Sequence, residues 1–258
     1  MKAIILAAGR SSRLYPITKN CPKCLLKIGK KTIIEYQIDW LRKCGIDDIL
    51  VVHGYFSNKI EEVLGASVRY RYYDKYHETN NLYTLYSVMD ELNDDVVILF
   101  SDVLLSVKLL KKCIKSPEDY CLIVDKNNIL DTTMFVRTEN NLIYDIGSHI
   151  SLEIADGNFI GVAKFSSCGA KNLASQIKEL AKNEQHKNEY YTFALPKISL
   201  NGGEICYVEV EKNLKWTEID LKEEYENALV QGISVFEDEE DTKWTKIQLK
   251  RDDNVLDD

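Results

Sequence analysis

Long apolar runs are missing from this 258-residue chain. No stretch approaches the roughly 18 apolar residues that a membrane-spanning helix needs, so a membrane span is not expected. The N-terminus enters an apolar strand at once, without the basic and then longer apolar segments of a secretion signal. Positive charge is also in short supply: 33 Lys and Arg stand against 41 Asp and Glu, a formal charge of −8. That balance argues against a general nucleic-acid binder, which carries a basic face, and any anionic ligand must be met by local positive charge. Seven cysteines in a chain of this size do not make a disulfide scaffold and read as thiols of a cytoplasmic protein. The four histidines are scattered and suggest no triad-like constellation. No internal repeat and no Gly/Ser-rich linker divides the chain.

What is present is an alternation of strand and helix patterns. Ala3–Leu6, Ile49–Val52, Val68–Tyr73, Val96–Phe100 and Cys121–Val124 read as strands, most of them apolar on both faces. Between them, Thr32 opens a helix with Ile34, Ile38, Leu41 and Cys44 on one face, ended by Gly45. Ser57 is expected to cap Lys59–Leu64, and Thr79 or Asn80 to cap a helix running through Leu82, Leu85, Tyr86, Met89 and Leu92. A further helix covers Val107–Ile114. Repeated βα units of this length predict an α/β, doubly wound, mostly parallel sheet. After Asp125 the pattern changes. Met134–Arg137 and Leu142–Ile146 read as a hairpin around Glu139-Asn140-Asn141. Phe159–Phe165 and Glu204–Val210 are strands, Ala170–Ala181 and Leu221–Leu229 helices. The expected organisation is a nucleotide-binding portion at 1–125, a small mixed acceptor portion at 126–230, and a charged extension at 231–258, solvated over Glu237–Asp258.

The densest signal is residues 6–23, LAAGRSSRLYPITKNCPK. At Ala7-Ala8-Gly9 the side chains become small enough for backbone to approach a ligand, and successive N–H groups there can form an anion-binding concavity. Arg13 and Lys23 bring two positive charges to the same mouth. Neither G-x-x-x-x-G-K-[ST] nor G-x-G-x-x-G is present, so the two commoner phosphate loops are excluded. Cys21 and Cys24 spell C-x-x-C around Lys23, but no second pair or His partners stand at zinc-ligand spacing, and the pair reads as coincidental.

The order LAAG, Arg-Leu, P-x-T, Pro-Lys resembles the signature of the nucleotidyltransferases that make sugar nucleotides and CDP-alcohols. Further segments resemble the cytidylyltransferase branch acting on phosphocholine and phosphonates: Asn80-Asn81-Leu82-Tyr83-Thr84-Leu85, Gly161–Ser166, Tyr190-Tyr191 and Trp216–Asp220. The resemblance covers roughly residues 1–229 and implies a Rossmann-like nucleotidyltransferase fold, CTP, magnesium and an acceptor carrying phosphate or phosphonate. It implies that nucleotide is bound by Leu6, Ala7, Ala8, Gly9, Arg10, Asn80, Asn81 and Ser101, each asparagine competing with a role as helix cap. Asp102 follows a strand at its carboxyl end, where open α/β sheets hold ligands, and Asp220 closes Trp216–Asp220. Together they would meet the one or two carboxylates that magnesium on a triphosphate needs.

Arg13 would hold the β- and γ-phosphates and Lys23 the phosphoryl being transferred, as an acceptor oxyanion attacks the α-phosphorus and pyrophosphate leaves. The acceptor side departs from the branch. Phe135 and Ser148 stand where related chains often carry lysine, and Asn158 where an acidic residue is common, leaving His149 or Arg137 as substitutes. Glu218 and the tyrosine-rich surroundings, Tyr190 included, suit an acceptor with an ammonium group. A sugar-1-phosphate nucleotidyltransferase is the alternative, a non-catalytic nucleotide-binding regulator a further one, and a homo-oligomer is left open.

Overall fold

Strands form on the short β-branched runs and helices on the amphipathic stretches between them, and the computed structural model describes residues 1–131 and 134–236. The charged stretch 237–258, expected to be solvated, lies outside the described residues. In chain order the strands are β1 (Lys2–Ala7), the short pair β2 (Lys27–Ile28) and β3 (Lys31–Thr32), β4 (Ile49–His53), β5 (Arg69–Tyr72), β6 (Val96–Phe100) and β7 (Val103–Leu105). They continue with β8 (Tyr120–Asp125), β9 (Met134–Glu139), β10 (Leu142–Gly147), β11 (Gly157–Phe165), β12 (Ile205–Glu209) and β13 (Trp216–Glu218). The helices are α1 (Ile33–Lys43), α2 (Ser57–Leu64), α3 (Asn81–Tyr86), α4 (Val107–Ile114), α5 (Ser167–Ala181), α6 (Leu195–Leu200) and α7 (Lys222–Gln231). No helix among the described residues is long and apolar enough to cross a membrane.

The main sheet runs β10-β9-β11-β6-β1-β4-β5, with β8 joined to β11 and β12 beyond it. Strands β6, β1, β4 and β5 are parallel, as is the pair β8–β12, while β11 lies antiparallel to β6, β8 and β9. The chain moves outward from β1 to β4 and β5, then returns to place β6 on the other side of β1. That reversal makes a switch point between β1 and β6, where diverging loops leave a crevice at the strands' carboxyl ends. Two cores flank the sheet, one under α1, α2, α4 and α7, the other under α3, α5 and α6. The first core also takes Ile233 and Phe236, so the extension begins packed into that core.

Local chemistry explains the boundaries. Thr32 caps α1 through a reciprocal pair with Glu35, and Asn140 and Asn141 both take positive φ in a tight hairpin turn. Ser57 is not the cap of α2 but its first residue, the cap position falling to Phe56 at φ 49°. The helix expected to reach Leu92 stops at Tyr86. Ser87 there bonds back to the Thr84 carbonyl at 2.7 Å, and Met89–Glu91 forms a separate 3-10 turn. Gly161, at φ +81°, lies where β11 changes partners, and a Cβ there would come within 2.9 Å of Val103 and 3.0 Å of Phe100. It lets β11 pass close under the β6–β7 turn.

Away from the crevice, Glu91 ties the strand starts together. It accepts from Arg69 at 2.7 and 3.0 Å and from Lys2 at 3.0 Å. The Arg69 guanidinium first, and then Lys2, hold its carboxyl down at about 2. A depressed carboxylate stabilises the fold above its unfolded value near 4.5 and loses that contribution as pH falls towards 2. Glu91→Gln should therefore cost about 1–2 kcal/mol at neutral pH, after allowance for the half-exposed Arg69, and almost nothing near pH 2. Urea unfolding of both proteins across that range checks it; a cost independent of pH would refute the linkage.

Candidate active site

The crevice at the switch point is a cleft of about 290 Å³ whose floor is the end of β1. Leu6, Ala7, Ala8 and Gly9 all line it, and a Cβ placed on Gly9 would meet nothing within 4 Å. The loop then tightens. Ser11 takes the left-handed conformation at φ 51°, its carbonyl accepting from the fully buried Thr18 hydroxyl at 2.7 Å. Tyr55 fastens the same segment from the far side, donating to the Lys19 carbonyl at 2.6 Å. Ser11 and Ser12 line the cleft and Arg13 stands at its mouth, while Arg10 does not line it. Arg10, expected to contact the nucleotide, stands next to the cleft-lining Gly9 and Ser11, with its guanidinium beside the Tyr15 hydroxyl.

Lys23 ends this segment as a buried residue at the start of a 3-10 turn. Its ammonium lies 2.6 Å from Asp102 Oδ2 and also pairs with Asp220 Oδ1. Arg13 meets the other Asp220 oxygen at 3.0 Å. Asp102 sits in the turn between β6 and β7. Asp220 follows β13, which pairs antiparallel with β7 through Trp216↔Leu105 and Glu218↔Val103, and Ile219 N donates to the Asp102 carbonyl at 3.0 Å. This two-strand ladder brings together aspartates 118 positions apart. Asp220 is not a helix cap: its own N–H is held by Glu224 at 2.6 Å, and its carboxylate faces the two cations.

Glu218 joins the pair, so that Asp102, Glu218 and Asp220 each offer an oxygen within 4.8 Å of the others. Burial, and then the neighbouring carboxylates, push Glu218 well above the ordinary glutamate range. Asp102 is raised by burial in spite of Lys23. Burial disfavours the Lys23 ammonium, but Asp102 and Asp220 outweigh it and hold the lysine charged. One oxygen, Asp102 Oδ1, is buried with no hydrogen-bond partner. Hard oxygen donors, crowded negative charge and that unpartnered oxygen fit a divalent cation.

Across the cleft stands the start of α3. Asn80 caps the helix, its side chain accepting from Asn81 N at 2.8 Å and donating to the Asn188 carbonyl at 3.1 Å. Asn81 accepts from Tyr191 N at 2.8 Å and faces the cleft. Ser101 lines it too, as do Thr84, Phe100 and Cys24, which sequence reasoning missed. Thr84 falls one helical turn after Asn81, a spacing that could have flagged it. Tyr76 reaches the rim because residue 54 is glycine; a Cβ there would sit 2.5 Å from the tyrosine ring.

A smaller recess of about 100 Å³ opens beside the carboxylates. Phe100, Phe159, Met134 and Tyr190 form its apolar walls, with Ser148 at one side and Arg13, Glu218 and Asp220 at the other. Tyr190 borders both spaces, and its ring centroid is 6.1 Å from that of Phe100. Neither suggested substitute cation lines the recess: Arg137 pairs with Asp156 at 3.3 Å and His149 with Asp145 at 3.0 Å. Phe135 is buried in the sheet, and Asn158 bonds both backbone groups of Leu130.

A doubly wound sheet, a small-residue loop after its first strand and a buried lysine between carboxylates define a nucleotidyltransferase-type α/β domain. The chain belongs to the MobA-like NTP transferase domain family, whose model matches residues 3–187. It is similar to the CTP:phosphoglutamine cytidylyltransferase of Campylobacter jejuni, at 28% identity over 250 residues, covering 88% of this chain and 98% of the relative. Over 99 residues it is 46% identical to the choline-phosphate cytidylyltransferase of Streptococcus pneumoniae, covering 38% of this chain and 43% of the relative. The solved structure of the CTP:phosphocholine cytidylyltransferase from Streptococcus pneumoniae matches with a TM-score of 0.76 at 26% identity, over 89% of this chain and 98% of that one.

Proposed function

We propose that this protein is a cytidylyltransferase that transfers CMP from CTP to a small amine-bearing phosphate or phosphonate and releases pyrophosphate. The observation that carries the reading is Lys23, buried at the end of the small-residue loop and paired with both Asp102 and Asp220. Similarity to cytidylyltransferases along nearly the whole length of the Campylobacter relative supports CTP as the donor.

The reaction brings two anions together, so its barrier is mainly repulsion and misorientation. Backbone N–H groups around Ala8 and Gly9 would cradle the triphosphate, with Arg13 on the β- and γ-phosphates. Arg13 suits that role because its side chain is 60% exposed and can turn from Asp220 to an incoming ligand. Lys23 would hold the phosphoryl being transferred, its buried charge acting in a medium of low dielectric. Asp102 and Asp220 would hold magnesium, which neutralises triphosphate charge when bound. Asn81 is the better candidate of the two asparagines for the cytosine edge, since the Asn80 amide is occupied in capping α3. An acceptor phosphate is already ionised, so no general base is required.

On the acceptor side, the aromatic recess and Glu218 favour an ammonium group. Such a cation would also favour the ionised form of Glu218. Phosphocholine, phosphoethanolamine or 2-aminoethylphosphonate should outcompete glucose 1-phosphate in a pyrophosphate-release assay, and CTP should outcompete UTP, dTTP and GTP. Glu218→Gln should raise KM for the amine-bearing acceptor about tenfold, more than it raises KM for CTP. Equal use of acceptors with and without an amine would sink the acceptor assignment; preference for UTP, dTTP or GTP would turn the reading to a sugar-1-phosphate enzyme.

A further inference from the structure

We propose that Gln37 is a positioning residue for Asp102, clamping the β6–β7 turn so that the carboxylate keeps its place beside Lys23. Gln37 lies on α1 among Ile33, Ile34, Ile38, Trp40 and Leu41, a face otherwise made of apolar side chains packed in the core, and it is fully buried. Its Nε2 donates to the Phe100 carbonyl and to the Val103 carbonyl, both at 2.8 Å. Those carbonyls stand on either side of Ser101-Asp102. One amide therefore bridges the two ends of the turn that carries the aspartate.

The other half of the amide marks the choice of residue. Gln37 Oε1 is buried and has no hydrogen-bond partner. A buried acceptor without a donor is destabilising, so nothing in the packing of α1 calls for an amide there. What the residue supplies is the two-pronged donor. From the opposite side, the Asp102 carbonyl is held by Ile219 N at 3.0 Å. Asp102 is thus fixed between α1 and the segment that carries Asp220. Such support matters at a charged site, because Asp102, Glu218 and Asp220 repel one another and a slack turn would let Asp102 withdraw from the cluster.

This inference rests on the reading of Asp102 as a ligand of the nucleotide-bound cation, and the experiment separates the two. Mn²⁺ is titrated into protein with saturating CTP and the free ion is followed by electron paramagnetic resonance, for wild type, Gln37→Met and Gln37→His. Steady-state kinetics with the best acceptor are run in parallel. Gln37→Met removes the donor at nearly constant volume and should weaken Mn²⁺ binding about tenfold or more and lower kcat 10- to 100-fold, with a smaller change in KM for CTP. Gln37→His keeps a ring N–H at similar reach and should recover most of both. Each variant is measured well below its own melting midpoint; if the methionine variant does not fold, the histidine variant is compared with wild type at lowered Mn²⁺, where a one-pronged donor should show a smaller deficit of the same kind. A folded variant with unchanged Mn²⁺ affinity and kcat, or one that only melts earlier, overturns the role of Gln37. A wild-type protein that takes up no Mn²⁺ with CTP overturns the metal-site reading, and this inference falls with it.

Discussion

Lys23→Ala is expected to lower CTP-dependent pyrophosphate release by about a thousandfold or more, since it removes the buried charge facing the transferred phosphoryl group. Stability should suffer too, because Lys23 is only 8% exposed and neutralises two aspartates at once. Its loss leaves buried carboxylates without a counter-charge, at a cost of about 3–5 kcal/mol. The two effects can be told apart. A divalent cation should raise the melting temperature of Lys23→Ala more than that of wild type, as it takes over the missing charge, while turnover stays lost. Near-normal pyrophosphate release by a folded Lys23→Ala protein would defeat the assignment.

Asp102→Asn should show the opposite balance. The change keeps the shape of the side chain and an oxygen for Lys23, and it removes one of three crowded carboxylates. The melting temperature should stay within a few degrees of wild type or rise, because like-charge repulsion is relieved. Turnover should fall by about a hundredfold to a thousandfold, and the magnesium concentration for half-maximal rate should increase. In the wild type, a chelator should stop the reaction and added magnesium restore it. Full activity in Asp102→Asn, or indifference of the wild type to chelation, would remove the carboxylate cluster from the mechanism.

Short-range order is what the sequence announces well. Apolar runs such as Val96–Phe100 have one comfortable conformation once buried on both faces, and Thr32, Gly45 and Asn140-Asn141 act on neighbours within a turn. The small-residue loop after β1 was legible for the same reason, as was the position of Asp102 past a strand end. Where local reasoning failed, a competing contact decided. The Ser87 hydroxyl bonded backwards and ended α3 early, and the Phe56 backbone took the cap position that Ser57 was expected to fill.

The sequence by itself determined the parallel half of the sheet, the loop that can cradle phosphate, and the residue types able to meet a triphosphate: Arg13, Lys23, Asp102 and Asp220. Only the tertiary structure decided that Lys23 is shared by both aspartates, that Glu218 completes a three-carboxylate cluster, and that Gln37 reaches the turn behind Asp102. The physical reason is the range of the contacts. β7 and β13 are three residues each, too short for a periodicity to announce them, and their pairing gains its stability from packing over the core rather than from local preference. A charge cluster assembled from segments 23, 102 and 220 exists only when that long-range ladder closes.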